Sequence, residues 1–262
     1  MKIPIYQVDA FTSQVFRGNP AAVCPLEYWL EDHLLLSIAA ENNLSETAFF
    51  LKKDDYFEIR WFTPKVEVNL CGHATLASAH VIFNHLKYPK QEIIFHSKSG
   101  ILKVFRDGIN LILDFPVAKI SAAIIKQEIR KALGKIPIAV YQSGTKLLAL
   151  YENEKTVFEI QPDFEKLKNV GFMGIIITAP GDSVDFVSRF FAPGVGINED
   201  PVTGSAHTLL IPFWAERLGK SKLKAIQISQ RTGELDCELK GERVWIGGKA
   251  ITFLIGEIEV DI

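Results

Sequence analysis

The chain has 262 residues, 48% of them hydrophobic and 23% charged, with a formal net charge of −2. Those are the values of an ordinary globular protein, either one large domain or two of about 130 residues. A near-neutral chain has no general attraction for nucleic acid or for an anionic membrane surface.

The N-terminus enters a strand directly, without a charged-then-apolar signal pattern. Residues 3–11 alternate apolar and polar, as a half-buried strand does. Gly18-Asn19-Pro20 is a turn, and residues 21–24 resume a strand. Residues 31–42 read as a helix, with Leu34, Leu35, Ile38 and Ala39 on one face. A strand over 44–51 is entered through the polar triplet Ser45-Glu46-Thr47, and another spans 56–63. A strongly apolar helix runs from Cys71 to about Leu86, and strands follow at 92–96, 100–105 and 109–115. Pro116 ends a first half.

In the second half a helix is expected over 122–133, stopped by Gly134. Strands at 139–142 and 147–151 and a short helix at 162–169 come next, then strands at 174–178 and 184–191. A second apolar helix spans 204–218, ends at Gly219 and should kink at Pro212. Strands at 225–229, 233–239, 243–246 and 251–258 complete the chain. No run, Gly174 to Ala179 included, is long enough to cross a bilayer as a helix.

An internal repeat organises these elements. Arg60-Trp61-Phe62-Thr63-Pro64 and Arg189-Phe190-Phe191-Ala192-Pro193 are each followed by an acidic loop and then a Gly-led helix start, Cys71-Gly72-His73-Ala74 and Thr203-Gly204-Ser205-Ala206. The prolines are 129 residues apart and the glycines 132, so one loop carries a three-residue insertion. Ser99-Gly100 and Thr232-Gly233 continue the match. The expected fold is therefore α/β (α+β): two pseudo-symmetric halves, residues 1–117 and 118–262, each a mostly antiparallel sheet wrapped around a central helix. The last strand has the option of crossing back to the first half.

The first N–H groups of a helix lack partners within it and favour an anion, and glycine lets a ligand come close. Two such starts suit a carboxylate. The plainer alternative is that Gly72 and Gly204 only allow tight helix–strand packing. Glu46, beside a Phe-rich strand, fits proton transfer if apolar walls raise its pKa; on composition alone the favoured reading is a strand-edge glutamate facing water. His73 fits a donor or proton shuttle, or a helix-start ring bonded to backbone. Asp200 fits a second acid/base group, a group that orients His73, or a helix cap. Ser205 fits capping and carboxylate binding together. Cys71 is an activated thiolate or an inert buried thiol. His207 has no clear role, and His33, His80, His85 and His96 have no ligand spacing. The three cysteines, Cys24, Cys71 and Cys237, neither pair off nor cluster as metal ligands, which fits a reducing, cytoplasmic setting. There is no nucleotide or zinc-protease motif, so no cofactor and no metal are indicated.

Gly18-Asn19-Pro20-Ala21-Ala22-Val23, Leu44-Ser45-Glu46-Thr47-Ala48-Phe49, Arg60 to Thr75 and Arg189 to His207 together resemble the phenazine-biosynthesis PhzF-like family, over nearly the whole chain. The resemblance implies the diaminopimelate-epimerase-type fold with its active site in the cleft between halves. It also implies a cofactor-independent isomerase that moves a proton on a small carboxylic acid. By motif match Glu46 is the proton-moving group, with His73 and Asp200 in the active site. Asn19, Ser45, Gly72, Gly204 and Ser205 form the substrate-binding set. A homodimer is compatible with the resemblance; nucleic acid and membrane are not expected partners. Related epimerases use two cysteines, and here Thr203 stands in the second place. The alternatives are an amino-acid epimerase or racemase using Cys71, and a small-molecule-binding module without turnover.

Overall fold

In the computed structural model, which describes residues 1–260, the chain forms two units. One is Met1–Phe115 together with the stretch from Ile246 onward, and the other is Pro116–Trp245. The first unit contains β1 (Lys2–Ala10), β2 (Asn19–Leu26), α1 (Asp32–Asn42), β3 (Glu46–Lys52), β4 (Phe57–Phe62), β5 (Glu67–Val68), α2 (Gly72–His80), β6 (Glu92–Ser97), β7 (Gly100–Asp107) and β8 (Asn110–Pro116). The second contains β9 (Ser121–Ala122), α3 (Gln127–Leu133), β10 (Ala139–Ser143), β11 (Lys146–Leu150), α4 (Glu154–Glu159), α5 (Phe164–Leu167), β12 (Gly174–Pro180), β13 (Phe186–Ala192), β14 (Ile197–Asp200), α6 (Gly204–Leu218), β15 (Lys222–Gln227) and β16 (Gly233–Lys240). Then β17 (Arg243–Gly248) leads into β18 (Ala250–Glu259), which pairs antiparallel with β1 in the first unit. That long pairing brings the chain after Trp245 back to the first unit, whereas the sequence reading assigned 118–262 to the second half with the return only as an option.

The repeat is visible in the pairing pattern. In the first unit β18, β1 and β2 pair antiparallel in that order. β2 is then parallel to β3, and β3 is antiparallel to β4. β4 is antiparallel to β5 and parallel to β6, which returns through β7. In the second unit β9, β10 and β11 pair antiparallel, β11 is parallel to β12, and β12 is antiparallel to β13. β13 is antiparallel to β14 and parallel to β15, which returns through β16. Each pairing of one unit has its counterpart in the other, and both sheets are mostly antiparallel.

Each sheet encloses an apolar helix. Every residue of α2 from Gly72 to Ala79 is buried, and the helix packs on β1, β2, β3 and β18. α6 buries Leu209, Leu210, Phe213 and Trp214, and it packs on β15 and β16. Apolar side chains all round a helix leave no solvent face, so such a helix is stable only when surrounded. A second apolar layer lies under the peripheral helices. Leu35 and Ile38 of α1 cluster with Ile3, Phe49 and Phe62, and Ile129 and Leu133 of α3 cluster with Leu147, Ile177 and Phe191.

The paired arginine motifs have one physical meaning. Arg60 donates through Nε and Nη2 to the two Glu67 oxygens, both at 2.8 Å, and its guanidinium lies over the Phe62 ring. Arg189 donates to both Glu199 oxygens at 2.7 and 2.9 Å and lies over Phe191. The Arg–Glu spacing grows from seven residues to ten, and the short 3-10 helix Pro193–Val195 sits inside the longer loop. Each fork therefore clamps the hairpin that leads into a central helix.

Some expected elements differ. The helix expected over 122–133 begins only at Gln127, because Ala122 pairs with Tyr141 and Ala123 donates to the Val140 carbonyl. α2 gives way to a π-helical turn, Val81–His85. α6 runs through Pro212 without ending. Proline has no N–H for the carbonyl four residues back, and the Ala118 N–H takes that Thr208 oxygen instead, at 3.1 Å. α4, capped by the Asn153 side chain, and the short strands β5 and β14 were not expected. Among the described residues no helix is long and apolar enough to cross a membrane.

Candidate active site

In the first unit the loop after β1 sets the site. Asp9, buried, accepts the Phe16 N–H at 2.8 Å, and Gly18 turns the chain at φ 63°. A Cβ at Gly18 would sit 2.1 Å from the Ala10 carbonyl oxygen, so only glycine fits this motif position. The turn delivers Asn19, fully buried, onto the ring of His73, with Asn19 Nδ2 3.2 Å from His73 Nδ1. Cys71 Sγ lies 3.5 Å from the same nitrogen. The other ring nitrogen, Nε2, faces Glu46 Oε2 at 3.2 Å. Glu46 opens β3, and its side chain is only 12% exposed, so it is not a strand-edge glutamate in open water. Burial pushes the His73 pKa down to about 3, so the ring is neutral near pH 7.

Glu46, Cys71 and His73 offer ligand atoms within 4.8 Å of one another. Cys71 lies on the Nδ1 side of the ring and Glu46 on the Nε2 side. The three side chains form a row from thiol to imidazole to carboxylate.

At the α2 start the cap residue is Cys71, whose side chain makes no capping hydrogen bond. In the second unit Thr203 holds the equivalent place, again without a side-chain cap. The short helices α4 and α5 are capped by Asn153 and Asp163. α1 and α3, like the central pair, start without a side-chain cap. One turn on, Thr75 Oγ1 donates to the Cys71 carbonyl, and His207 Nδ1 lies 2.9 Å from the Thr203 carbonyl. His207 is therefore the repeat counterpart of Thr75, holding a helix start from inside the core, and burial lowers its pKa to about 4.

Asp200 ends β14, is buried, and accepts a short hydrogen bond from Thr203 Oγ1. It is not a cap in the usual sense, since its partner is a hydroxyl rather than a helix N–H. Gln227, fully buried on β15, fastens this turn. Its Oε1 accepts the Thr203 N–H at 2.9 Å, and its Nε2 donates to the Asp200 carbonyl at 2.7 Å. Ser205, partly buried in the first turn of α6, presents its carbonyl to Lys146 Nζ at 3.1 Å. Burial lowers the Lys146 pKa to about 8.

The expected residues thus fall into two groups, Asn19, Ser45, Glu46, Gly72 and His73 in the first unit and Asp200, Gly204 and Ser205 in the second. Ser45 is partly buried just ahead of β3. Asn19 faces His73 rather than open space. Gln227 and Lys146 were missed by the sequence reading, because neither lies in a repeated motif. The one available signal was that the chain before Gly233 matches the chain before Gly100.

The sequence pattern of the Phenazine biosynthesis-like protein family matches residues 8–256. The chain belongs to that family. Among family relatives, an uncharacterized isomerase of Pseudomonas aeruginosa is 51% identical over 260 residues, covering 99% of this chain and all of that protein. The crystal structure of a PhzF-family phenazine biosynthesis protein from Enterococcus faecalis matches at 48% identity and a TM-score of 0.97, over 99% of this chain and 100% of that one. A probable proline racemase from Agrobacterium radiobacter shares the fold, at a TM-score of 0.65 and 11% identity over 99% of this chain and 93% of that one. The fold is thus the epimerase-like one that the sequence resemblance implied.

Proposed function

We propose that this chain is an isomerase that moves a proton on a small carboxylic acid without a cofactor, with Glu46 as the group that carries the proton. The observation behind this is the Glu46 carboxylate, largely shielded and 3.2 Å from His73 Nε2, beside the uncapped start of a buried helix. A base that takes a proton from carbon and returns it must be oriented and partly shielded from water. His73, neutral by burial, can orient the carboxylate by hydrogen bonding without holding it as a fixed ion pair. The helix start favours the substrate's own carboxylate through its N–H groups and dipole. Asp200, bonded to the Thr203 hydroxyl, is the proposed second acid/base group. The family relatives named as isomerases support the reaction class.

A two-thiol racemisation is disfavoured, because the place equivalent to Cys71 is Thr203. The test is incubation of the protein in D2O with a panel of small unsaturated and cyclic carboxylic acids and amino acids, followed by NMR. Deuterium appearing at a carbon of one acid, and not of its amide, is the expected result. No exchange into any acid that shifts the protein's melting temperature would count against an isomerase.

A further inference from the structure

The proton between His73 and Glu46 can be placed from the geometry. A neutral imidazole carries one N–H and one bare nitrogen. The NH2 of a carboxamide can only donate, and Asn19 Nδ2 stands 3.2 Å from His73 Nδ1. Nδ1 must then be the bare nitrogen, and the N–H lies on Nε2, the nitrogen that stands 3.2 Å from Glu46 Oε2.

We propose that Asn19 is a positioning residue: its amide holds His73 in the Nε2–H tautomer, so that the ring's one hydrogen lies on the nitrogen facing Glu46, where it is available to aim that carboxylate as the base. The consequence for catalysis rests on the reading of Glu46 as the proton carrier, whereas the tautomer itself does not. The titratable groups within contact of the ring are Glu46 from β3 and Cys71 from the turn ahead of α2. A bare Nδ1 also accepts from a neutral Cys71 S–H. A Cys71 thiolate would need a proton on Nδ1, which would then oppose the Asn19 NH2. The same amide therefore opposes a Cys71 thiolate paired with an Nδ1–H. Burial of Asn19 and the Gly18 turn, with no room for a Cβ, leave the amide little freedom to swing away.

The experiment is 15N NMR of the histidine rings in the full chain between pH 5 and 8, with His73→Gln to assign the signals. The expected result is a pyrrole-type Nε2 and a pyridine-type Nδ1 for His73 throughout that range. Asn19→Asp replaces the donor by an acceptor and should move the proton to Nδ1 or give a doubly protonated ring. A wild-type ring protonated on Nδ1 would overturn the proposal, and so would an Asn19→Asp ring unchanged from wild type. The wild-type spectrum decides the tautomer even if the variant does not fold. The expected tautomer together with undiminished exchange in Glu46→Gln would instead sink only the reading of Glu46 as proton carrier.

Discussion

At the residue scale, burial decides what the candidate groups can do. Cys24 and Cys237 are buried, and burial pushes both thiols well above their ordinary range, so they are inert core residues. Cys71 lies on the Nδ1 side of His73, with Sγ 3.5 Å from that nitrogen. If it only supports that ring, Cys71→Ser keeps a donor in place and should retain turnover within about tenfold. A loss beyond about a thousandfold, the size of an acid/base contribution, would mean that the thiol takes part in the chemistry. His207 carries a pH signature. Its folded pKa is about 4 against an ordinary 6.5, mainly from desolvation. On acidification through that window the unfolded chain takes up a proton that the folded chain refuses, so stability falls as pH falls from 6.5 to about 4. The slope is about 1.4 kcal/mol per pH unit for one proton. Urea unfolding of His207→Gln should show a shallower loss between pH 6.5 and 4.5. An unchanged slope would mean that the ring does not titrate as its burial implies.

At the element scale, the two arginine forks are the clearest link from sequence to fold. Arg189 is 8% exposed, and besides Glu199 it donates to the carbonyls of Val157 at 3.1 Å and Ile160 at 2.7 Å. Arg60 is more open, and its partner Glu67 also pairs with Lys98. Arg189→Met would strand a carboxylate and those carbonyls, at a cost of about 3–5 kcal/mol, whereas Arg60→Met should cost about half as much. Denaturant midpoints test this, and equal costs would mean that the two clamps are not graded by burial. The Arg-to-Pro motifs were legible in sequence because they are repeated ahead of an acidic loop, although one loop is three residues longer; the pairing of each arginine with a glutamate of that loop was not. The central helices were legible from their apolar runs and glycine starts. The late start of α3 was not, because Ala122 pairs with Tyr141 and Ala123 donates to the Val140 carbonyl, contacts that no local pattern encodes. The Asn19–His73–Glu46 row was only half legible. Glu46 and His73 stand in motifs, but the partner of each ring nitrogen depends on how β2, β3 and α2 come together.

At the scale of the whole molecule, the two units share a pairing pattern and differ where chemistry is proposed. Glu46 stands opposite Ala21 in the parallel β2–β3 pair, and the corresponding position opposite Lys146 in the β11–β12 pair is Gly174. A Cβ there would lie 2.3 Å from the Phe190 ring, so the second unit has no room for a matching carboxylate. Gly174→Ala should destabilise by about 1–3 kcal/mol through overpacking, and Phe190→Leu should recover part of it. No recovery would place the strain elsewhere. The repeat thus supplies two similar helix starts, while only one is faced by a strand-borne glutamate. The central claim is that this glutamate carries the proton, and the most direct measurement compares wild type with Glu46→Gln on an acid that exchanges in D2O. Glu46→Gln keeps the size of the side chain and an oxygen able to face His73 but cannot take up and return a proton. The expected result is unchanged binding of the acid with turnover and deuterium incorporation reduced by about 10²–10⁴. Exchange in Glu46→Gln at the wild-type rate would contradict the claim.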